Sequence, residues 1–212
     1  MRRHDLVWLD PEAPWQALGS ADPARLRSWM QARLPLVVAR RDPAVDGADL
    51  RLGVALPLDE QRQRLSLRAP PASVVRHAPP CRLDQVIASV AAPWQRALRE
   101  LAALPAHARV APRVYGSFAW QALTGLEYVH AGSDLDLLWD VDEPHHARAL
   151  CQQIARWEQT QGIRADGELR RPDGRAVNWR EYAGTSPTLL VKAETYCALT
   201  PRAQLFAQAV AA

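Results

Sequence analysis

The chain has 212 residues, 48% of them hydrophobic and 23% charged, a balance that suits a folded protein and excludes intrinsic disorder. No apolar run reaches the ~18 residues of a bilayer-spanning helix, and Met1-Arg2-Arg3-His4-Asp5 leads into no apolar signal region, so the expectation is a cytoplasmic protein with no membrane partner. The net charge of +3 sits in the first part, where residues 1–80 hold 12 bases and 9 acids against 14 of each in 81–212, too small an excess to predict a nucleic-acid partner.

In chain order, Trp8, Trp15 and Trp29 open the sequence among helical or irregular stretches. Asp22-Pro23 has the form of an N-cap with proline at the first helical position, which predicts a helix to about Arg33. Strands follow at Leu36–Ala39, Leu50–Leu56 and Arg62–Arg68. In the last, alternation puts Arg62, Arg64 and Arg68 on one face, either a solvated edge or a phosphate-binding face. The proline pairs between Ala69 and Pro80 read as a loop and divide the chain into a small basic N-terminal subdomain, 1–80, and a second domain, 81–212. Leu83–Leu104 has helical spacing, kinked or split by Pro93. A strand at Arg113–Tyr115 runs into Gly116-Ser117 and a short helix, Phe118–Leu123. Leu135–Trp139 reads as a buried strand and Pro144–Gln161 as a helix. Ile163–Arg170 and Ala176–Tyr182 read as a hairpin, and helical material with Leu189, Leu190, Leu205 and Phe206 closes the chain. The fold class is α+β, a small N-terminal α/β subdomain followed by a mixed β-sheet with helices.

The chemistry concentrates in Gly116-Ser117 and in Gly132-Ser133-Asp134-Leu135-Asp136. On a strand, Asp134 and Asp136 project from one face about 7 Å apart. Two such carboxylates on an apolar strand are costly without a cation, which predicts that both hold Mg2+, an ion that favours a few carboxylates plus phosphate oxygens. Gly116 lets backbone approach a phosphate, and the Ser117 hydroxyl and helix amides can bind its oxygens. Asp166 and Glu168, sharing a face of a later strand, both qualify as the third carboxylate and proton acceptor. Asp140 and Asp142 are expected near the exposed strand end. Cys81, Cys151 and Cys197 fit neither a disulfide nor a zinc pattern and read as buried thiols, and His145-His146 as surface. Trp179 shares a strand face with Val177 and Glu181, either core or a stacking surface. Only Lys192 is lysine among 26 basic residues; the arginine excess reflects codon bias or phosphate recognition. Lys192 itself reads as an exposed helix position or a phosphate contact.

A Gly-Ser turn, an Asp-x-Asp strand and a later acidic strand resemble the nucleotidyltransferase superfamily of the DNA polymerase β type. The segments His4–Leu9, Pro35–Arg41, Leu52–Pro57, Gln63-Arg64, Gly167–Leu169 and Val177–Glu181 extend the likeness over nearly the whole chain. Together they are similar to the phosphoribosyl-dephospho-CoA transferases of malonate decarboxylase, its holo-acyl-carrier-protein synthases. The resemblance implies transfer of the prosthetic group from 2′-(5″-triphosphoribosyl)-3′-dephospho-CoA to a serine of the malonate decarboxylase acyl-carrier subunit, with release of pyrophosphate. It implies metal-binding roles for Asp134 and Asp136, a third acidic role for Asp166 or Glu168, phosphate contacts from Gly116 and Ser117, and, for Arg62, Arg64 and Arg68, a grip on the remaining donor phosphates or on the acidic carrier protein. Two alternatives compete: a nucleotidyltransferase using ATP on a small-molecule acceptor, and a non-catalytic module that binds a carrier protein or an RNA.

Overall fold

The computed structural model describes residues 1–108 and 110–207, so positions 208–212 of the second part lie outside the described residues. Short alternating runs of Leu and Val build two sheets, one from each part of the chain. The first contains β1 (Leu6–Leu9), β2 (Gln16–Leu18), β3 (Leu36–Val38), β4 (Leu50–Ala55), β5 (Arg64–Ala69) and β6 (Val74–Ala78), in the antiparallel order β2-β5-β4-β3-β1-β6. The helix α1 (Pro23–Gln31) starts where Asp22 accepts from the Ala24 amide, and buries Leu26, Trp29 and Met30. The short α2 (Pro43–Asp46) follows β3.

The second sheet contains β7 (Cys81–Arg82), β8 (Arg113–Tyr115), β9 (Leu135–Asp140), β10 (Ala165–Arg170), β11 (Ala176–Asn178), β12 (Thr188–Lys192) and β13 (Cys197–Pro201), neighbours in reverse chain order. Only β9 and β10 run parallel, because the 18-residue α6 (Pro144–Gln161) crosses over between them. The helices α3 (Leu83–Val86), α4 (Ala92–Ala102) and α5 (Gly116–Thr124) share the core of this sheet with Leu135, Leu137 and Trp139. Pro93 falls in the first turn of α4, so the stretch from 83 to 104 is split rather than kinked. The result is an α+β fold.

The two parts share packing. Trp120 and Tyr128 come from the second part but are buried in the first core, where Trp120 meets Trp29 edge to face at 5.8 Å. The Tyr128 hydroxyl donates to Ala55 O at 2.9 Å.

Several elements differ from the sequence reading. Leu6–Leu9 and Val74–Ala78 are strands, not irregular chain; β6 is a sheet edge with Val75, Arg76 and His77 exposed, so it lacks the apolar alternation that marks a strand. Trp179–Ala183 is a helix, α7, because the Asn178 side chain accepts from the Arg180 and Glu181 amides and ends β11. Trp179 is buried there, with Nε1 donating to Ala165 O, so it offers no stacking surface. The stretch from 188 to 201 is a β-hairpin rather than a helix: Leu189 and Val191 alternate inward with Leu190 exposed, a period of two. Cys81 and Cys151 are buried, but Cys197 is exposed on the edge strand.

Candidate functional site

A cleft of about 590 Å³ opens between the two sheets. One wall is the exposed side of β3, β4 and β5; the other is Tyr115, Gly116, Ser117 and Asp136. Gly116 ends β8 and begins α5 with φ 65°, a backbone that L side chains rarely adopt. A Cβ there would lie 1.9 Å from Asp136 Oδ2, so the glycine is what lets the carboxylate reach the helix start. Ser117 follows in the first turn of α5 and also faces the cleft.

Asp136 and Asp166 are direct partners in the parallel register of β9 and β10. Asp134 lies just before β9 rather than on it, about two-fifths exposed, with Arg164 Nε 3.5 Å from Oδ2. Burial, then the charges of Asp166 and Asp134, push the Asp136 carboxyl up to about 7, and Arg64 pulls only partly the other way. Neither Asp136 nor Asp166 has an ion-pair partner among the described residues. Asp166 Oδ1 accepts from the Gly167 amide at 2.8 Å and from Asn178 Nδ2 at 2.7 Å, which orients that carboxylate. Gly167 has φ 148°, and a Cβ would fall 2.0 Å from Leu137 O, so β10 can lie against β9 at this point only as glycine.

Glu168 is in a different environment. It is buried and gripped by Arg3 through Nη1 and Nη2, by Lys192 Nζ at 3.0 Å and by His4 Nε2 at 3.4 Å. Burial raises its pKa, but the His4 hydrogen bond and the Arg3 charge outweigh this and hold the carboxyl well below the usual carboxylate range. Next to it, Arg170 forms a two-pronged pair with Asp140 at 2.7 and 3.0 Å. Asp142 is exposed and lies near His146. Lys192 is therefore on a strand and ion-paired, not on an exposed helix.

The arginine face is divided. Arg64 begins β5 at the cleft. Arg62 borders the same cleft from a turn in which Gln61 and Arg62 both have positive φ, and its Nη1 lies 3.0 Å from His130 Nε2. Arg68 turns away, donating to Gln16 Oε1 at 2.8 Å and Val45 O at 3.1 Å. The structure thus brings together Gly116, Ser117, Arg62, Arg64 and Asp136, sets Asp166 beside Asp136, turns Arg68 away, and ties Glu168 to Arg3, Lys192 and His4 at the back of the group. His145 is exposed, as expected.

Three residues of the site lie in segments that carry the family likeness but are not singled out there as site residues. His4, with φ 73°, stacks on Tyr115 at a centroid distance of 4.1 Å, and burial lowers its pKa. The Tyr115 phenol is pushed up by burial and by the charges of Glu168, Asp136 and Asp166, so it stays protonated. Asn178 shows in the sequence only as a polar residue within an expected strand. A second cavity of about 620 Å³, between α6, α7 and Arg202–Phe206, is lined by no acidic side chain among the described residues. Among those residues, no three His, Cys, Asp or Glu side chains converge to hold a metal by protein ligands alone, and no helix is long and apolar enough to cross a membrane.

Two family models together match residues 2–203. The model described as phosphoribosyl-dephospho-CoA transferase MdcG N-terminal domain covers residues 2–80, and that described as the MdcG C-terminal domain covers 81–203. The chain is 53% identical over 205 residues to a phosphoribosyl-dephospho-CoA transferase of Xanthomonas axonopodis pv. citri, covering 96% of each. It is 48% identical over 210 residues to that of Xanthomonas campestris pv. campestris, covering 99% of each, and 36% identical over 212 residues to that of Bradyrhizobium diazoefficiens, covering 98% of this chain and 93% of the relative. No solved structure matches at a significant level. On these models and relatives, the chain belongs to the phosphoribosyl-dephospho-CoA transferase family and is a transferase.

Proposed function

We propose that this transferase moves the phosphoribosyl-dephospho-CoA group from 2′-(5″-triphosphoribosyl)-3′-dephospho-CoA to a serine of the malonate decarboxylase acyl-carrier subunit, in the cytoplasm. The observation that carries the reading is the register pair Asp136–Asp166 beside the Gly116 turn, in a chain of this family. Asp134, Asp136 and Asp166 offer only oxygen donors and crowd negative charge that Arg64 offsets only in part at Asp136, which suits Mg2+ shared with substrate phosphates. When bound, Mg2+ supplies charge neutralisation to the triphosphate. Ser117, the amides at the start of α5, Arg62 and Arg64 bind the β- and γ-phosphates. Asp166, oriented by Asn178 and the Gly167 amide, takes the proton of the carrier serine. The serine oxygen bonds to the α-phosphorus, the α–β phosphoanhydride bond breaks, and pyrophosphate leaves with the bonding electrons. Glu168 has no part in the proton transfer, because its carboxylate is already occupied by Arg3 and Lys192. Most of the rate enhancement is positioning and electrostatic stabilisation.

Intact-mass measurement of the carrier subunit tests this. The expected result is a magnesium-dependent gain equal to the phosphoribosyl-dephospho-CoA group. Transfer of AMP from ATP to small acceptors, with no such gain on the carrier, would overturn it.

A further inference from the structure

The cleft wall opposite Gly116 carries a glycine that the fold does not need. Gly53 lies inside β4, paired on both sides, with Val37 and Ser66 as its register partners. A Cβ there would meet only Leu65 O at 3.6 Å and Val37 Cγ1 at 3.8 Å, ordinary van der Waals contacts, and its φ is outside the left-handed region. Gly116 and Gly167 are forced by contacts of 1.9 and 2.0 Å; Gly53 is not. A glycine in a strand interior weakens the strand and often marks a bulge, a bend or close approach by another group; the regular pairing of Gly53 on both sides leaves no bulge and favours close approach. Gly53 borders the 590 Å³ cleft, across from the phosphate-binding turn and beside Arg64 and Ser66 of β5.

We propose that Gly53 is a specificity-determining residue: the bare backbone at this point receives the ribosyl-adenosine portion of the donor, laid against β4 with its phosphates toward Gly116 and Arg64. The proposal rests on the donor reading above. Covalent order selects this portion. The ribose bearing the triphosphate is joined to the adenosine, and the pantetheine arm leaves from the far side of that nucleoside. The group nearest the phosphates therefore meets the wall that faces the turn, where Gly53 lies, and the arm extends out of the cleft. A side chain at position 53 occupies the space the nucleoside needs while leaving the sheet undisturbed.

The test is a size series, Gly53→Ala, Gly53→Val and Gly53→Leu, with Ser66→Val as a second probe of the same wall. Each variant is measured for melting temperature, for donor KM and kcat in carrier modification, and for equilibrium binding of dephospho-CoA. Donor KM and the dephospho-CoA dissociation constant should rise with side-chain size, by about tenfold or more at leucine. The melting temperature should hold or rise, and kcat at saturating donor should change far less. Wild-type affinity for dephospho-CoA in folded Gly53→Leu would overturn the proposal. If leucine prevents folding, the alanine and Ser66→Val variants decide in the same way. Dephospho-CoA binding needs neither acceptor nor leaving group, so a wild-type protein that transfers nothing would sink the donor reading while this arm still decides on the wall.

Discussion

Lys192 holds Glu168 across an intervening strand: its Nζ lies 3.0 Å from Oε1, although β11 separates their strands in the sheet. With Arg3 on the other side, this makes Glu168 a structural anchor between the start of the chain and the second sheet. Glu168→Gln should destabilise the protein by about 3 kcal/mol, because it leaves two cations facing an uncharged amide at a buried position. Lys192→Met should cost less, since Arg3 remains. Urea denaturation of both variants checks the order; equal stability of Glu168→Gln and wild type would contradict the anchor.

Asp166 should behave in the opposite manner. Asp166→Asn keeps the size and removes the proposed base, so carrier modification should slow by about a hundredfold or more. The melting temperature should hold or rise, since the carboxylate forms no ion pair among the described residues and its charge crowds Asp136. Single-turnover rates at saturating donor separate this from a binding defect.

Asp136 couples activity to stability through pH. In the unfolded chain it ionises around 3.8, and in the fold at about 7. Between these values the folded protein binds the extra proton, so stability falls as pH rises through this window and levels off above 7. Asp136→Asn removes the slope. It should be more stable than wild type at pH 8, by up to about 4 kcal/mol, and equal to it below pH 4, while carrier modification is lost. Magnesium should raise the melting temperature of wild type at pH 8 and leave the variant unchanged. Thermal denaturation from pH 4 to 8, with and without the ion, checks both statements.

The two forced glycines should fail differently. In Gly167→Ala the new methyl meets the Leu137 backbone, which cannot move without breaking the β9–β10 ladder, so a loss of about 3 kcal/mol or more is expected. In Gly116→Ala it meets the end of the Asp136 side chain. That carboxylate can swing aside, so activity should fall by more than stability does. Comparing melting temperature with kcat for the pair tests the distinction.

Much of this was readable from residue order. The N-cap at Asp22, the span of α6 and the Gly-Ser turn followed from local chemistry, because proline, capping side chains and a 3.6-residue period act over a few positions. What escaped depends on distant partners. Leu6–Leu9 is a strand because β3 and β6 flank it. The inward positions Leu189 and Val191 flank an exposed Leu190, which blurs a period of two into an apolar run. The third carboxylate stayed open for a related reason. Asp166 and Glu168 share a strand face, and residues distant in sequence distinguish them, among them Arg3 and Lys192 on Glu168 and Asn178 on Asp166. Arg68 lies on the expected face but follows Gln16, a partner that strand periodicity does not reveal.

Trp120 and Tyr128 give the cleft a mechanical character. Both come from the part that carries Asp136, yet both are sealed in the core of the opposite wall. Prising the walls apart would draw two large aromatic rings into water and break the Tyr128 bond to Ala55. The jaws are therefore fused at the hinge. A cleft tied in this way offers entry along its open side, and on the donor reading proposed above its shape would select between donors more than a closing motion would.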